Sequence, residues 1–282
     1  MKILLTTLLC LALCLPVFAD QQTTVLRQET SVGKAQAVLP YIDGSNSVDL
    51  EKKANGLILA AAQELSRQVG GGSIDYEVTL NRPSLVSVLL TARNGSKMAY
   101  RGLNLDLTTG AEFGVTDFFI NNDTVKDALH GYDDVLFTEN GLLCSRGKYA
   151  SYDALAVPYS QVLPFVRIGE AGRIMQVARL TASATKKTLV MEKSGLIALK
   201  LDANPSSGYG WVMSASSSNV QKVGSSFTIP RAEEERVGTP GVEIVFLYVE
   251  QPGTYNIKME YKRPWEKLSL DSFSFTVIVQ GA

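Results

Sequence analysis

Few residues in this chain of 282 amino acids could carry out covalent chemistry. Outside the first 19 residues, a predicted signal peptide, the sequence holds one histidine, His130, and one cysteine, Cys144. The two could act as base and nucleophile only if the fold brings them together. His130 precedes Gly131 at the predicted end of a helix, where a histidine suits the negative helix terminus. Cys144 lies in the apolar segment GLLCSR, which is typical of a buried thiol. The sequence therefore predicts no enzyme, with a Cys144–His130 hydrolase as an alternative.

The pattern predicts no metal ion and no cofactor either. His, Cys and carboxylate residues do not cluster at the spacing of metal ligands. Asp133 and Asp134 are adjacent rather than facing each other, which indicates a loop instead of an acid–base pair. The glycines at 70–72 follow a predicted helix, so they indicate a helix end rather than a phosphate-binding loop.

The residue types favour a binding loop over a catalytic or metal site. Residues Asn204–Trp211 read NPSSGYGW. Pro205 fixes its own φ and keeps Asn204 extended, whereas Gly208 can take a positive φ. Such a loop loses little conformational entropy on docking. A turn that merely reverses the chain explains the same residues, and Trp211, inside the following strand, is expected in the core.

Two later segments favour the binding interpretation. Gly238–Gly241 reads GTPG, and Arg263–Glu266 reads RPWE at the end of an alternating strand. In this order and spacing, the three motifs resemble the chagasin family of inhibitors of papain-like cysteine proteases. The resemblance implies an immunoglobulin-like sandwich whose three loops, at one end, block the active-site cleft of the protease. The protease-binding residues that it implies are Asn204, Pro205, Ser206, Ser207, Gly208, Tyr209, Gly238, Thr239, Pro240, Gly241, Arg263, Pro264 and Trp265.

The residues of the implied site have different expected roles. Trp265 is expected to be the apolar anchor, because Trp and Arg dominate the energetics of interfaces, and Pro264 to hold it outward. Arg263 could donate hydrogen bonds to protease carbonyls or stack on an aromatic ring. If the segment is only a strand end, Trp265 folds back onto the sandwich. Ser206 and Ser207 stand where the family has two threonines, which leaves the protease preference open.

The N-terminus and the charge balance predict an exported protein. Lys2, the apolar run after it and Val17-Phe18-Ala19 are typical of a secretory signal peptide, residues 1–19. No small residue precedes Cys14, so no lipid anchor is expected. Without Lys2 the chain has 26 basic and 28 acidic residues, which favours neither nucleic acid nor an anionic membrane as partner. We expect a secreted or periplasmic protein without a membrane anchor or an internal disulfide.

Periodicity divides the rest of the chain into an α+β domain and an all-β immunoglobulin-like sandwich. Residues 20–36 are polar and aperiodic, which predicts a flexible segment or an edge strand. Residues 37–178 combine helices and strands, 179–186 have the composition of a linker, and 187–282 alternate in short strands. The predicted N-terminal elements are a helix from Ser47 to the glycines at 70–72, strands at 74–80, 84–92, 97–107, 135–144 and 154–167, and a short helix at 123–129.

The N-terminal domain has a looser resemblance of its own. The runs Leu105–Phe119 (LDLTTGAEFGVTDFF) and Ala156–Ile168 (AVPYSQVLPFVRI) resemble the extracytoplasmic domain of lysozyme-sensing anti-sigma factors. The Tyr-x-Gly-Gly-Ala-His element common there is absent, and residues 99–102 (AYRG) stand near its place. Lysozyme binding is therefore not implied, and the partner of this domain is unknown. An alternative function is a cell-envelope protein whose N-terminal domain binds lysozyme or cell wall, with the sandwich as scaffold.

Overall fold

The computed structural model describes residues 23–43, 47–120, 123–167, 170–192, 194–228 and 240–281. These residues are mostly in β-strands, with a few helices. They fall into two compact units that divide between Val177 and Ala178. The predicted signal peptide, residues 1–19, lies outside the described ranges. Within those ranges, every helix is too short or too polar to cross a membrane.

The N-terminal unit is built around a six-stranded sheet and one long helix. The strands, in their order across the sheet, are β1 (Thr24–Val32), β2 (Ala35–Asp43), β3 (Gly72–Arg82), β4 (Leu85–Asn94), β5 (Lys97–Asp106) and β6 (Ala111–Glu112). Helix α1 (Val48–Val69) begins after Ser47 and connects β2 to β3, the one parallel pair of this sheet. Its apolar residues recur at helical spacing, and Ile58 and Leu65 are buried against the sheet. Gly70, with φ 81°, ends the helix.

A smaller sheet and short helical segments complete this unit. The strands of the smaller sheet are β7 (Asp134–Phe137), β8 (Gly141–Ser145) and β9 (Tyr152–Pro158). The helices are α2 (Val115–Phe118), α3 (Asp123–Ala128) and α4 (Tyr159–Val162), with 3-10 turns at Leu163–Phe165 and Ala171–Arg173.

The structure defines three N-terminal segments more closely than the sequence did. Of the two alternatives for residues 20–36, a flexible segment or an edge strand, residues 24–32 form edge strand β1, paired with β2 along its whole length. An edge strand gains backbone hydrogen bonds from one neighbour without needing an apolar face, so a polar sequence suffices. The predicted strand at 135–144 is the hairpin β7–β8. The one predicted at 154–167 ends at Pro158, which lacks an N–H for the sheet but suits the start of α4.

The C-terminal unit consists of two four-stranded sheets that share one core. The first sheet has the order β10 (Gln176–Thr181), β12 (Gly195–Ala203), β15 (Gly241–Val249), β14 (Val220–Thr228), and the second has the order β11 (Thr188–Met191), β17 (Asp271–Val279), β16 (Gly253–Lys262), β13 (Gly210–Ala215). Leu199 and Leu247 from the first sheet join Ile257 and Phe275 from the second in a single hydrophobic cluster.

The segment predicted as a linker, residues 179–186, belongs to this unit. Leu180 in β10 is buried, and so is Ala184 in the 3-10 turn Ala182–Ala184 that follows. The backbone N–H of Lys186 donates to the carbonyl of Ser274 at 2.7 Å. The small side chains that suggested a linker instead let this segment pack closely against the core.

Candidate functional site

The connection between β12 and β13 is a closed, internally bonded turn. Residues Pro205–Ser207 form one turn of 3-10 helix, and Gly208 follows with φ 78°. The hydroxyls of both serines donate to oxygen atoms of Asn204 at 2.5 Å. The backbone N–H of Asn204 in turn donates to the phenolic oxygen of Tyr261 at 2.7 Å. Local bonds and one bond to β16 therefore hold the loop in shape, as its sequence predicted.

Arg263 ties this turn to the loop that follows β16. Its Nε and Nη2 each donate to the carbonyl oxygen of Ser207 at 3.2 Å. Its Nη1 lies 3.2 Å from a carboxylate oxygen of Glu266, and its guanidinium lies 4.5 Å from the ring centre of Tyr209. Stacking on an aromatic ring was one of the two expected roles of Arg263, and the ring is one from the same chain. The guanidinium therefore holds two loops together.

Trp265 projects into solvent. Its side chain is 74% exposed, and Pro264 before it is also exposed. Trp265 therefore does not fold back onto the sheets. Two further apolar residues of the same loop, Leu268 and Leu270, are 84% and 68% exposed. Neither leucine is among the site residues predicted from the sequence, although LSL in a polar loop is a visible signal.

Of the third predicted motif, Gly238 and Thr239 lie outside the described residues. Pro240 is exposed, and Gly241 is the first residue of β15. A Cβ on Gly241 would lie 2.5 Å from the carbonyl oxygen of Thr228 and 2.7 Å from the ring of Phe227. This close approach requires glycine. Phe227, which is 38% exposed, lies beside this part of the site.

Strand register brings the described parts of the three motifs to one end of the C-terminal unit. Ala203, the last residue of β12, pairs with Gly241, the first of β15. Gly210, the first residue of β13, pairs with Lys262, the last of β16. The Asn204 turn connects β12 to β13, so the ends of all four strands lie at the same end of the two sheets. The described parts of the three motifs are therefore neighbours.

A row of aromatic rings connects this end to the core. The ring centres of Tyr209 and Tyr261 are 5.6 Å apart, those of Tyr261 and Trp211 5.2 Å, and those of Trp211 and Phe273 5.6 Å. Trp211 is 5% exposed, and its indole N–H donates to the carbonyl of Asp202 at 3.0 Å. The expectation that Trp211 belongs to the core is confirmed. Packing of these rings against one another limits the motion of the loops that they adjoin.

The residues considered for covalent chemistry do not form a reactive site. Cys144 is fully buried in β8, and burial raises the pKa of its thiol to about 12. A thiol with such a pKa has almost no thiolate at neutral pH. His130 is exposed, and within the described ranges no hydrogen bond joins it to Cys144. Asp134 is paired with Arg101 at 3.1 Å, as a structural ion pair. The described residues include no group of three or more His, Cys, Asp or Glu that could hold a metal ion.

The buried thiol predicts a specific dependence of stability on pH. In the unfolded chain Cys144 ionises near pH 8.5, whereas in the folded chain it stays neutral up to about pH 12. Its contribution to stability is therefore complete below about pH 8.5 and is lost as the pH rises toward 12. Between pH 8 and pH 10, we expect the free energy of unfolding to fall by about 2 kcal/mol more in the wild type than in Cys144→Ala.

Urea denaturation of both proteins across this pH range measures the difference. Parallel pH dependences would contradict the prediction. A thiol reagent such as Ellman's reagent gives a second check, since it should label Cys144 at pH 8 only after unfolding.

Comparison with known proteins yields relatives for the C-terminal unit. Residues 190–279 match the family described as chagasin family peptidase inhibitor I42. Chagasin from Trypanosoma cruzi is 26% identical over 107 residues, which are 36% of this chain and 96% of chagasin. Amoebiasin-2 from Entamoeba histolytica is 31% identical over 110 residues, which are 36% of this chain and 84% of that protein.

Among solved structures, a cysteine protease inhibitor from Entamoeba histolytica is 28% identical, with a TM-score of 0.33 over 37% of this chain and 96% of that one. The matched residues 190–279 include the strands that carry all three motifs. In residues 190–279, this chain therefore carries a domain of the chagasin family, whose members inhibit peptidases and are not enzymes.

Proposed function

We propose that this chain inhibits papain-like cysteine proteases by inserting the end of its C-terminal unit into their active-site cleft. In this proposal the Asn204–Gly208 turn covers the catalytic cysteine and histidine of the protease. The loops at Gly238–Gly241 and Arg263–Trp265 contact the cleft on either side. The observation that supports the proposal is the register of β12, β13, β15 and β16, since it brings the described parts of the three motifs, including the exposed Trp265, to one end of the unit.

The mechanism requires no chemistry from the inhibitor. A nucleophile can cleave only a peptide bond held in attack geometry, and a 3-10 turn closed by its own hydrogen bonds presents no extended peptide. The turn is already ordered before binding, so little conformational entropy is lost when it docks. Apolar contact by Trp265 then supplies affinity.

A titration of papain tests the proposal. The mature chain, residues 20–282, is added to active-site-titrated papain, and hydrolysis of a small fluorogenic substrate is followed. We expect inhibition at submicromolar concentrations, with the inhibitor intact on a gel afterwards. Trypsin is the matched control, and its activity should not change. A lack of inhibition at micromolar concentrations, or cleavage of the chain as a competing substrate, would refute the proposal for this enzyme.

Replacing Arg263 by lysine should weaken this inhibition by about tenfold, or about 1.4 kcal/mol. Lysine keeps the charge but cannot donate from two nitrogen atoms to Ser207 or stack on Tyr209. The two loops would then be ordered only on binding. The measurement is the inhibition constant for papain, together with hydrogen exchange of the Gly208 amide in the free protein. Arg27→Lys, the same change at an exposed arginine of β1 in the other unit, is the control and should inhibit like the wild type.

We also propose, from the sequence alone, that residues 1–19 are removed and that the mature protein is secreted or periplasmic. Mass spectrometry of the exported protein should give a chain that begins at Asp20. We further propose that the N-terminal unit has an α+β fold and that the C-terminal unit is an immunoglobulin-like sandwich. Binding of lysozyme or cell wall by the N-terminal unit has no observation in its favour, and we do not propose it.

A further inference from the structure

The most exposed large apolar side chains among the described residues belong to a single loop. Trp265, Leu268 and Leu270 are exposed by 74%, 84% and 68%, more than any other large hydrophobic residue in the described ranges. Single exposed apolar residues are common on protein surfaces, but a cluster on one loop is typical of a contact site. Only the first of the three belongs to a recognised motif. We call the three together the hairpin surface.

The loop that carries the hairpin surface is closed at both ends. The N–H of Leu270 donates to the carbonyl of Tyr261 at 2.9 Å, and Tyr261 pairs with Asp271 at the start of β17. At the other end, the N–H of Glu266 donates to the carbonyl of Arg263 at 3.0 Å. Arg263 is in turn bonded to Ser207. Hydrogen bonds through Arg263 therefore connect the loop that carries the three apolar side chains to the Asn204 turn.

We infer that Leu268 and Leu270 extend the protease contact beyond the three motifs, so that the target protease covers the whole hairpin surface. This inference rests on the proposed function. Leu268 follows the proposed anchor by three residues on one closed loop, so a protein seated on Trp265 also reaches Leu268. The exposed Lys267 lies between them. The matching surface of the protease is therefore an apolar strip beside the active-site cleft, with no basic side chain opposite Lys267.

Serine substitutions test the inference in the full mature chain. We expect Leu268→Ser and Leu270→Ser to raise the inhibition constant for papain by severalfold each, and the double variant by at least about tenfold. The loss should lie in faster dissociation, with little change in the association rate. Leu59→Ser is the matched control, because Leu59 is a 43% exposed leucine on α1 in the other unit. Thermal denaturation should be unchanged in the Leu268 and Leu270 variants, since the replaced side chains are mostly exposed.

The outcomes separate this inference from the proposed function. If the wild type inhibits papain and the double variant inhibits equally well, the inference is overturned while the inhibitor function stands. If the wild type does not inhibit, both are overturned. Sedimentation of the free protein tests whether a second copy of this chain, rather than a protease, binds the hairpin surface. A wild-type dimer at micromolar concentration that is lost in the double variant would assign the hairpin surface to self-association and overturn the inference.

Discussion

Replacing Trp265 by alanine should raise the inhibition constant for papain by at least about 30-fold, or about 2 kcal/mol. The indole is 74% exposed in the free protein, so most of its apolar surface remains available for a partner to bury. Truncation of an aromatic anchor near the centre of an interface commonly costs this much binding free energy. The measurement is the inhibition constant from progress curves at several inhibitor concentrations.

The control variants identify the cause of this loss. Trp265→Phe retains an apolar ring and should lose much less affinity, whereas Leu59→Ala removes an exposed apolar side chain elsewhere and should lose none. Because the Trp265 side chain supports no core residue, the stability of the alanine variant should match the wild type. An unchanged inhibition constant for Trp265→Ala would remove this residue from the site.

A second large effect is expected on stability, from Trp211→Ala. The buried indole contacts the rings of Tyr261 and Phe273 and donates to the carbonyl of Asp202. Truncation would leave a cavity and an unpaired carbonyl, and we expect the C-terminal unit to lose about 3–5 kcal/mol of unfolding free energy. Urea denaturation followed by circular dichroism measures the loss.

Trp211→Phe separates the contributions of the ring and the hydrogen bond. Phenylalanine fills most of the space but cannot donate to Asp202, so a smaller loss, near about 1 kcal/mol, is expected. Tyr261, whose phenol accepts from the Asn204 N–H, rests on the indole, so the alanine variant should also inhibit less well. A transition midpoint of the alanine variant equal to that of the wild type would contradict this assignment of Trp211.

The elements that could be predicted are those determined by local sequence. Helix α1 follows from apolar residues at helical spacing between Ser47 and Gly70, and strands β3 to β5 follow from hydrophobic runs between turn residues. The sequence left residues 20–36 as either a flexible segment or an edge strand, because an edge strand is held by backbone hydrogen bonds that its polar side chains do not reveal. Leu180 and Ala184 resembled a linker because their burial depends on distant strands.

In the candidate site, too, local features could be predicted from the sequence, whereas contacts between distant strands could not. The motifs at Asn204 and Arg263 could be found in the sequence because turn residues have local signatures. The use of Arg263 as a connection to Ser207 and Tyr209 could not, since it depends on the pairing of β13 with β16. The exposure of Leu268 and Leu270 was equally hidden, because hydrophobicity alone does not distinguish an apolar residue in the core from one displayed to a partner.

Trp211 and Trp265 can serve as two intrinsic fluorescence probes, because they differ in exposure to solvent. They are its two tryptophans, one enclosed by aromatic rings and the other surrounded by water. Acrylamide should quench the emission of Trp265 in the free protein and leave that of Trp211 nearly untouched. Formation of a complex and loss of the native fold therefore change different fluorophores, and a single intrinsic fluorescence experiment can follow both without an attached dye.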